Sequence, residues 1–291
     1  MFTASVIGGL EKFPALIMKP DPSLRKRLLI AAILIPVFIL FAWVGRWPFA
    51  ILVAIIITLA AFELWQLFRK GGFSPSLALM LIFTFLAIIL RHLLNFQFSD
   101  LLLAVLVLAA MFYHVLEHQK GGKNSAVSFF LTLGGPLYLG WLGAYAVSIR
   151  NLDNGLYWIL LVIVIIVIAD TGAYAIGRKF GRHKMFPRVS PQKSWEGYIA
   201  GIVTGILAGW GVAALWHGFI PAILPVHGII LGVVISILAP MGDFGESMLK
   251  RHFNVKDSGT ILLDHGGFLD RIDSILWAIT IGYYLIIFIA G

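Results

Sequence analysis

The sequence predicts an all-α polytopic integral membrane protein of about nine transmembrane helices, with the N-terminus cytoplasmic and the C-terminus on the opposite side. Three observations carry this. The 291 residues are 60% hydrophobic and 12% charged, with a mean hydropathy of +0.94, whereas soluble globules are about 25% charged. The apolar residues fall into nine runs, each close to the ~20 residues of helix needed to cross a bilayer core. Eighteen of the 22 Lys and Arg residues lie on one side of those runs, as the positive-inside rule expects of the cytoplasmic face.

Residues 1–27 read as an N-terminal cytoplasmic or interfacial segment. Lys12 and Lys19 interrupt any apolar core, so the segment lacks the form of a signal peptide. Val6, Ile7, Leu10, Phe13 and Ile17 share one face of a short interfacial helix broken near Pro14. Spans at 28–44, 47–68, 75–94 and 99–116 make 28–125 an N-terminal transmembrane region. Those at 126–148, 155–177, 197–217, 222–241 and 268–290 make 126–291 a C-terminal region. No repeat of about 20–50 residues divides them, so the whole reads as one integral-membrane domain. Pro36, Gly134-Gly135-Pro136 and Pro240 interrupt runs, which embedded helices tolerate when neighbours satisfy the freed backbone groups.

Only Arg46, Arg91 and Arg150 fall on the far side, and Arg271 stands at the mouth of the last helix. The polar loops 178–196 and 242–267 therefore share the cytoplasmic face. The net charge of +8 follows from this topology and does not call for a nucleic-acid partner. Zero cysteines exclude disulfides and thiolate metal sites. In the seventh span Gly197, Gly201, Gly205 and Gly209 recur every four residues. Their bare face admits another helix backbone, either inside one subunit or across a homodimer seam.

Acids inside spans cost at least ~2.5 kcal/mol each and are functional candidates by default. Asp170 lies within VIVIIVIADTGAYAIG, Asp243 follows Pro240, and Asp270 and Asp273 open the last span three residues apart, hence on one face. All four point to one depth on one side. Glu63, inside the second span, is expected to hydrogen-bond a neighbour or reach the interface rather than to do chemistry. Clustered carboxylates without cysteine are hard oxygen ligands suited to Mg²⁺, which takes phosphates and water as its other ligands. Lys193, Lys250, Arg251, Lys256 and Arg271 can neutralise phosphate oxygens. Gly242, Gly245, Gly259, Gly266 and Gly267 let the backbone approach an anion. Together these residues point to metal-assisted phosphoryl or nucleotidyl transfer.

The same residues carry a resemblance. Ser247, Lys250-Arg251, Lys256-Asp257-Ser258-Gly259, His265-Gly266-Gly267 and Asp270-Arg271-Ile272-Asp273 resemble the C-terminal signature of the phosphatidate cytidylyltransferase (CDP-diacylglycerol synthase) family. Upstream, Asp170 with Ala173-Tyr174, and the segment Ser190 to Gly197, are similar to two further family segments. The resemblance runs from about residue 130 to 291. The family usually has Pro-Gly before His-Gly-Gly, where this chain has Leu263 and Asp264, which changes the turn chemistry of that loop.

The resemblance implies that CTP and phosphatidic acid react with Mg²⁺ to give CDP-diacylglycerol and pyrophosphate, at the cytoplasmic face of the inner membrane. On that reading Asp243 and Asp270, each at a helix end facing the shared loop, are the metal ligands, for one Mg²⁺ ion or two. Asp273, one turn on, supports the metal or holds Arg271. Lys193, Lys250 and Arg251 contact phosphates. Lys256, Asp257 and Arg271 belong to the substrate-binding set, Ser194, Ser247 and His265 are hydrogen-bond donors, and Asp170 is a further metal or base-recognition group. The alternative from another class is a secondary transporter or flippase for an anionic substrate, which would also show interrupted spans and embedded acids. His114-Val115-Leu116-Glu117-His118 fits the H-x-x-E-H pattern of inverted zinc proteases but has no evident third ligand, so it reads as a polar helix end.

Overall fold

The computed structural model describes residues 35–255, 257–259 and 266–290. The expected N-terminal interfacial helix and the positions Lys256, Leu263, Asp264 and His265 lie outside these residues. Apolar runs become helices because a backbone in hydrocarbon must satisfy its own hydrogen bonds. A short helix, α1 (Ile35–Val44), covers the described part of the first expected span. Eight helical segments among the described residues are long and apolar enough to cross a bilayer. They are α2 (Arg46–Lys70), α3 (Leu77–Leu94), α4 (Ser99–Gln119), the segment Ser125–Arg150, α7 (Gly155–Phe180), α8 (Trp195–His217), the segment Pro225–His252 and α11 (Leu269–Ala290).

The chain is thus a helical, multi-pass membrane protein. Segment Ser125–Arg150 is assembled from α5 (Ser125–Gly135), a π-helical stretch (Pro136–Trp141) and α6 (Tyr145–Arg150). Pro136 lacks the N–H that a regular turn requires, and the wider π turn absorbs the defect. A side chain on Gly140 would press on the backbone of Thr84, so this irregular stretch lies close against α3.

Two loops differ from expectation. Residues 242–267 read as a loop, but α10 (Pro240–His252) occupies its first half and continues directly from α9 (Pro225–Leu238). Pro240 stands at the first helical positions of α10, where its missing N–H costs nothing. Loop 178–196 also carries structure. Helix α7 runs on to Phe180, and β1 (Lys184–Phe186) pairs antiparallel with β2 (Ser190–Ser194). Ser194 then caps α8, its Oγ accepting the Gly197 N–H at 3.3 Å.

The glycine stripe of α8 is buried within the chain, between α7 and α9. A methyl on Gly197 would lie 2.9 Å from Gly177 Cα, and one on Gly201 would lie 3.1 Å from Ala173 Cβ. Further along, Gly209 and Gly228 face each other backbone to backbone. The stripe therefore serves packing inside one subunit. It draws α7, with Asp170, against the start of α8, and α9, with its continuation α10, against the other side.

Candidate active site

Helices α7, α10 and α11, the β1–β2 hairpin and the start of α8 enclose one cavity of about 1050 Å³ at one end of the bundle. Its wall carries Asp170 from α7, Asp243 and Glu246 from α10, and Asp270 and Asp273 from α11. Facing them are Arg178, Lys184, Lys193, Lys250 and Arg271. The structure brings acids from three helices to the wall of this one cavity. The wall also has an apolar side, including Val167, Tyr174 and Ile275, of which Val167 and Tyr174 are exposed on the bundle surface.

Local helix geometry sets the acids. Asp243, Glu246 and Lys250 recur at spacings of three and four along α10, which puts them on one face. Lys250 Nζ lies 2.6 Å from Glu246 Oε2 and 2.6 Å from Asp270 Oδ1, bridging α10 to α11. Glu246 is 1% exposed and Lys250 13%. A charge removed this far from water needs partners at hydrogen-bond range, and the ammonium gives both carboxylates one. Asp270 Oδ2 accepts three further bonds, from Ser258 N at 3.1 Å, Ser258 Oγ at 2.8 Å and Gly267 N at 2.8 Å. Asp270 thereby fixes two separate pieces of the connecting segment. Gly266, at φ +77°, brings its backbone beside the same oxygen, and that conformation favours glycine.

Asp243 is held differently. Lys193 Nζ, delivered by β2, lies 2.5 Å from its Oδ2, and Ser247 Oγ donates to Oδ1 at 3.2 Å. Lys193 also rests 4.4 Å from the Phe244 ring centroid, a cation–π contact that orients the ammonium. Asp273 is buried and accepts the Ser274 N–H at 2.6 Å. Among the sequence-derived site residues, Asp170, Asp243, Asp270, Asp273, Lys193, Ser194, Lys250 and Arg271 line the cavity. Ser247 touches it only through Asp243.

Other expected residues stand elsewhere. Arg251 points away from the cavity lining, its Nε donating to the Val189 carbonyl at 3.4 Å. One residue beyond Lys250 it lies about 100° round the helix, so it braces the hairpin. Asp257 is exposed and outside the lining. Lys256 and His265 lie outside the described residues. Glu246 was not singled out from the sequence, although its i, i+4 spacing to Lys250 was readable once α10 is taken as a helix.

The glycines also need correction. Those at 259 and 267 were expected to admit a substrate anion, but the anion against them is Glu63 from α2. A methyl on Gly259 would lie 2.6 Å from Glu63 Cδ, and one on Gly267 2.7 Å from the same atom. Gly242 instead permits close packing of α10 on Asp273 and Trp277 of α11. The H-x-x-E-H stretch is structural: His114 Nε2 lies 2.8 Å from Thr132 Oγ1 and Nδ1 2.9 Å from Glu117, while His118 Nδ1 faces the Gly122 carbonyl. Among the described residues no three His, Asp or Glu side chains converge there or elsewhere to enclose a metal on their own.

A helical membrane protein that gathers paired acids and cations from separate helices into one large cavity at the end of its bundle belongs to the class that handles phosphate groups at a membrane surface. A family model described as "Cytidylyltransferase family" matches residues 25–289. The chain is 34% identical over 274 residues to a phosphatidate cytidylyltransferase of Bacillus subtilis (strain 168), covering 90% of this chain and 97% of that one. It is 36% identical over 183 residues to the phosphatidate cytidylyltransferase of Staphylococcus haemolyticus, covering 62% and 68% respectively. A third, from Mycobacterium bovis, is 35% identical over 154 residues, covering 53% and 48%. The chain belongs to the cytidylyltransferase family.

Proposed function

We propose that this protein transfers the cytidylyl group of CTP to phosphatidate, giving CDP-diacylglycerol and pyrophosphate, from a multi-pass position in the inner membrane with its cavity open to the cytoplasm. The observation that carries the reading is the cavity of about 1050 Å³, whose wall among the described residues holds five carboxylates and five cations. That volume is at the upper end for small-molecule sites, suited to a nucleotide and a lipid headgroup together. Its apolar side at Val167 and Tyr174 gives acyl chains a route from the bilayer while CTP enters from water.

A phosphatidate oxygen attacks the α-phosphorus of CTP. The bond from that phosphorus to the bridging oxygen breaks, and pyrophosphate leaves with the electron pair. A phosphate monoester has a second pKa near about 6, so the nucleophile is already an oxyanion and needs no general base. The task is to bring two polyanions together and to stabilise the leaving group, which is positioning and electrostatics. Lys193 and Lys250, paired in the structure with Asp243 and Asp270, are the ammonium groups that turn to phosphate oxygens. Arg271 on the cavity wall adds a guanidinium fork. Ser194 keeps its hydroxyl hydrogen available for donation, because its capping bond uses the oxygen as acceptor.

The donor set fits Mg²⁺: it consists of carboxylate oxygens, and one or two carboxylates with substrate phosphates and water are the usual magnesium environment. Asp243 and Asp270 would hold it, each standing where the structure already places one positive charge. When bound, the ion neutralises charge on the transferring and departing phosphates. Asp170 and Asp273, on the same wall, are left for a second ion or for recognition of the base. The Lys and Arg distribution supports nine spans, with the N-terminus and cavity on the cytoplasmic side.

The test is pyrophosphate release by the purified protein in detergent micelles. Release from CTP is expected to require both phosphatidate and Mg²⁺, to stop with EDTA and to return on adding Mg²⁺. A folded wild-type protein that releases none, while vesicles containing it pass an anionic solute, would place the chain among transporters instead.

A further inference from the structure

We infer that Glu63, a residue of the N-terminal half far in sequence from the cavity-lining motifs, is a positioning residue that holds Gly259 and the stretch Gly267 to Leu269, described residues between α10 and the start of α11, in their working positions. The inference rests on the cytidylyltransferase reading for its kinetic consequence and on geometry alone for the contact.

Glu63 is 0% exposed about two turns from the C-terminal end of α2, where a buried acid is costly unless it is satisfied. Its Oε2 accepts the Leu269 N–H at 2.9 Å, across 206 residues of sequence, and the Phe268 backbone N–H faces the same carboxylate. Leu269 is the first residue of α11. Free N–H groups at a helix start carry partial positive charge, and a carboxylate placed there is favoured. Glu63 is therefore the N-terminal cap of the helix that bears Asp270 and Asp273, supplied in trans by another helix.

The carboxylate also shapes the connection. The three atoms nearest a methyl on Gly259 would all belong to Glu63, and a methyl on Gly267 would meet Glu63 and Ser258. Asp270 binds Ser258 and Gly267 from its own side. Two carboxylates, one from α2 and one from α11, thus grip the same two backbone pieces. Asp270 lines the cavity and Glu63 does not, so Glu63 acts by fixing where Ser258, Gly267 and Asp270 stand.

The experiment combines turnover with amide exchange. Glu63→Leu, which removes the acceptor, is expected to lower kcat at least 10-fold with the CTP KM changed less than 3-fold. Glu63→Gln keeps an acceptor oxygen of similar reach and is expected to restore at least a third of kcat. Gly259→Ala in the wild type is expected to lower kcat, and to cost nothing further in a Glu63→Ala background where the methyl has room. Hydrogen exchange at Leu269 is expected to accelerate in Glu63→Leu and to stay slow in Glu63→Gln, whether or not the protein turns over CTP. An inactive wild type therefore removes the reaction without touching the contact. Equal losses for Gly259→Ala in both backgrounds, or unchanged Leu269 exchange in Glu63→Leu, overturn the inference. Should the variants lacking the Glu63 carboxylate fail to fold, Gly259→Ala in the wild type still decides it, because unchanged kcat together with unchanged Leu269 exchange there overturns the inference.

Discussion

Lys250 and Arg251 are neighbours in sequence, and one residue of helix separates a buried bridge from an exposed brace. Lys250 links Glu246 to Asp270 inside the cavity, whereas Arg251 reaches the Val189 carbonyl on the hairpin. Removing one preorganised oxyanion-hole donor costs about 10²–10³ in kcat, and an ammonium placed against transferring phosphates plays the same electrostatic part. Lys250→Met is accordingly expected to lose at least about 100-fold, and Arg251→Ala less than about 10-fold. Steady-state assays of both variants, with size-exclusion profiles confirming the fold, check this. Equal losses in the two would mean that the basic pair acts as a unit. Lys250→Met also leaves Glu246 buried without its cation, which itself destabilises, so kcat must be compared at a temperature where both variants remain folded.

At the scale of elements, the glycine stripe decides how closely α8 approaches its neighbours. Gly209 faces Gly228 of α9 backbone to backbone, while a methyl on Gly211 would meet nothing within 4 Å. Gly209→Ala is expected to destabilise by about 1–3 kcal/mol through overpacking, and Gly211→Ala to leave stability within about 0.5 kcal/mol. Thermal unfolding in one detergent compares the two, and a drop of similar size in both would refute the packing assignment. The stripe was legible because a four-residue repeat of glycine survives as a pattern in the chain. Helix α10 was not, because its dense charge, its glycines and Pro240 carry the composition of a loop. The amphipathic order of Asp243, Glu246 and Lys250 becomes visible only once Pro240 is taken as a helix start. The hairpin was hidden for a related reason: three- and five-residue strands are too short for alternation to stand out.

For the whole molecule, hydropathy made the spans readable and charge made one end of the bundle readable, since both are sums over many residues. What such sums cannot show is a pairing between distant residues, such as Glu63 with Leu269 or Lys193 with Asp243. The opposite end of the bundle illustrates the difference. Arg91 is buried there, its guanidinium 3.6 Å from the Phe96 ring centroid, 4.9 Å from Tyr145 and 5.3 Å from Trp141, with Ser148 accepting at 3.3 Å. Aromatic faces and one hydroxyl make a cation tolerable in a place where the sequence showed only a stray charge. If the cavity end is cytoplasmic, the Arg91 end is the far side, and this can be read directly because the chain has no cysteine. Single substitutions Pro187→Cys, in the hairpin, and Asp153→Cys, before α7, lie at opposite ends of that helix. In intact cells a membrane-impermeant maleimide is expected to label Asp153→Cys and to spare Pro187→Cys until the membrane is opened. The reverse pattern would put the cavity on the side away from cytoplasmic CTP, and with it the proposed nucleotide supply would fail even though every contact within the site stood unchanged.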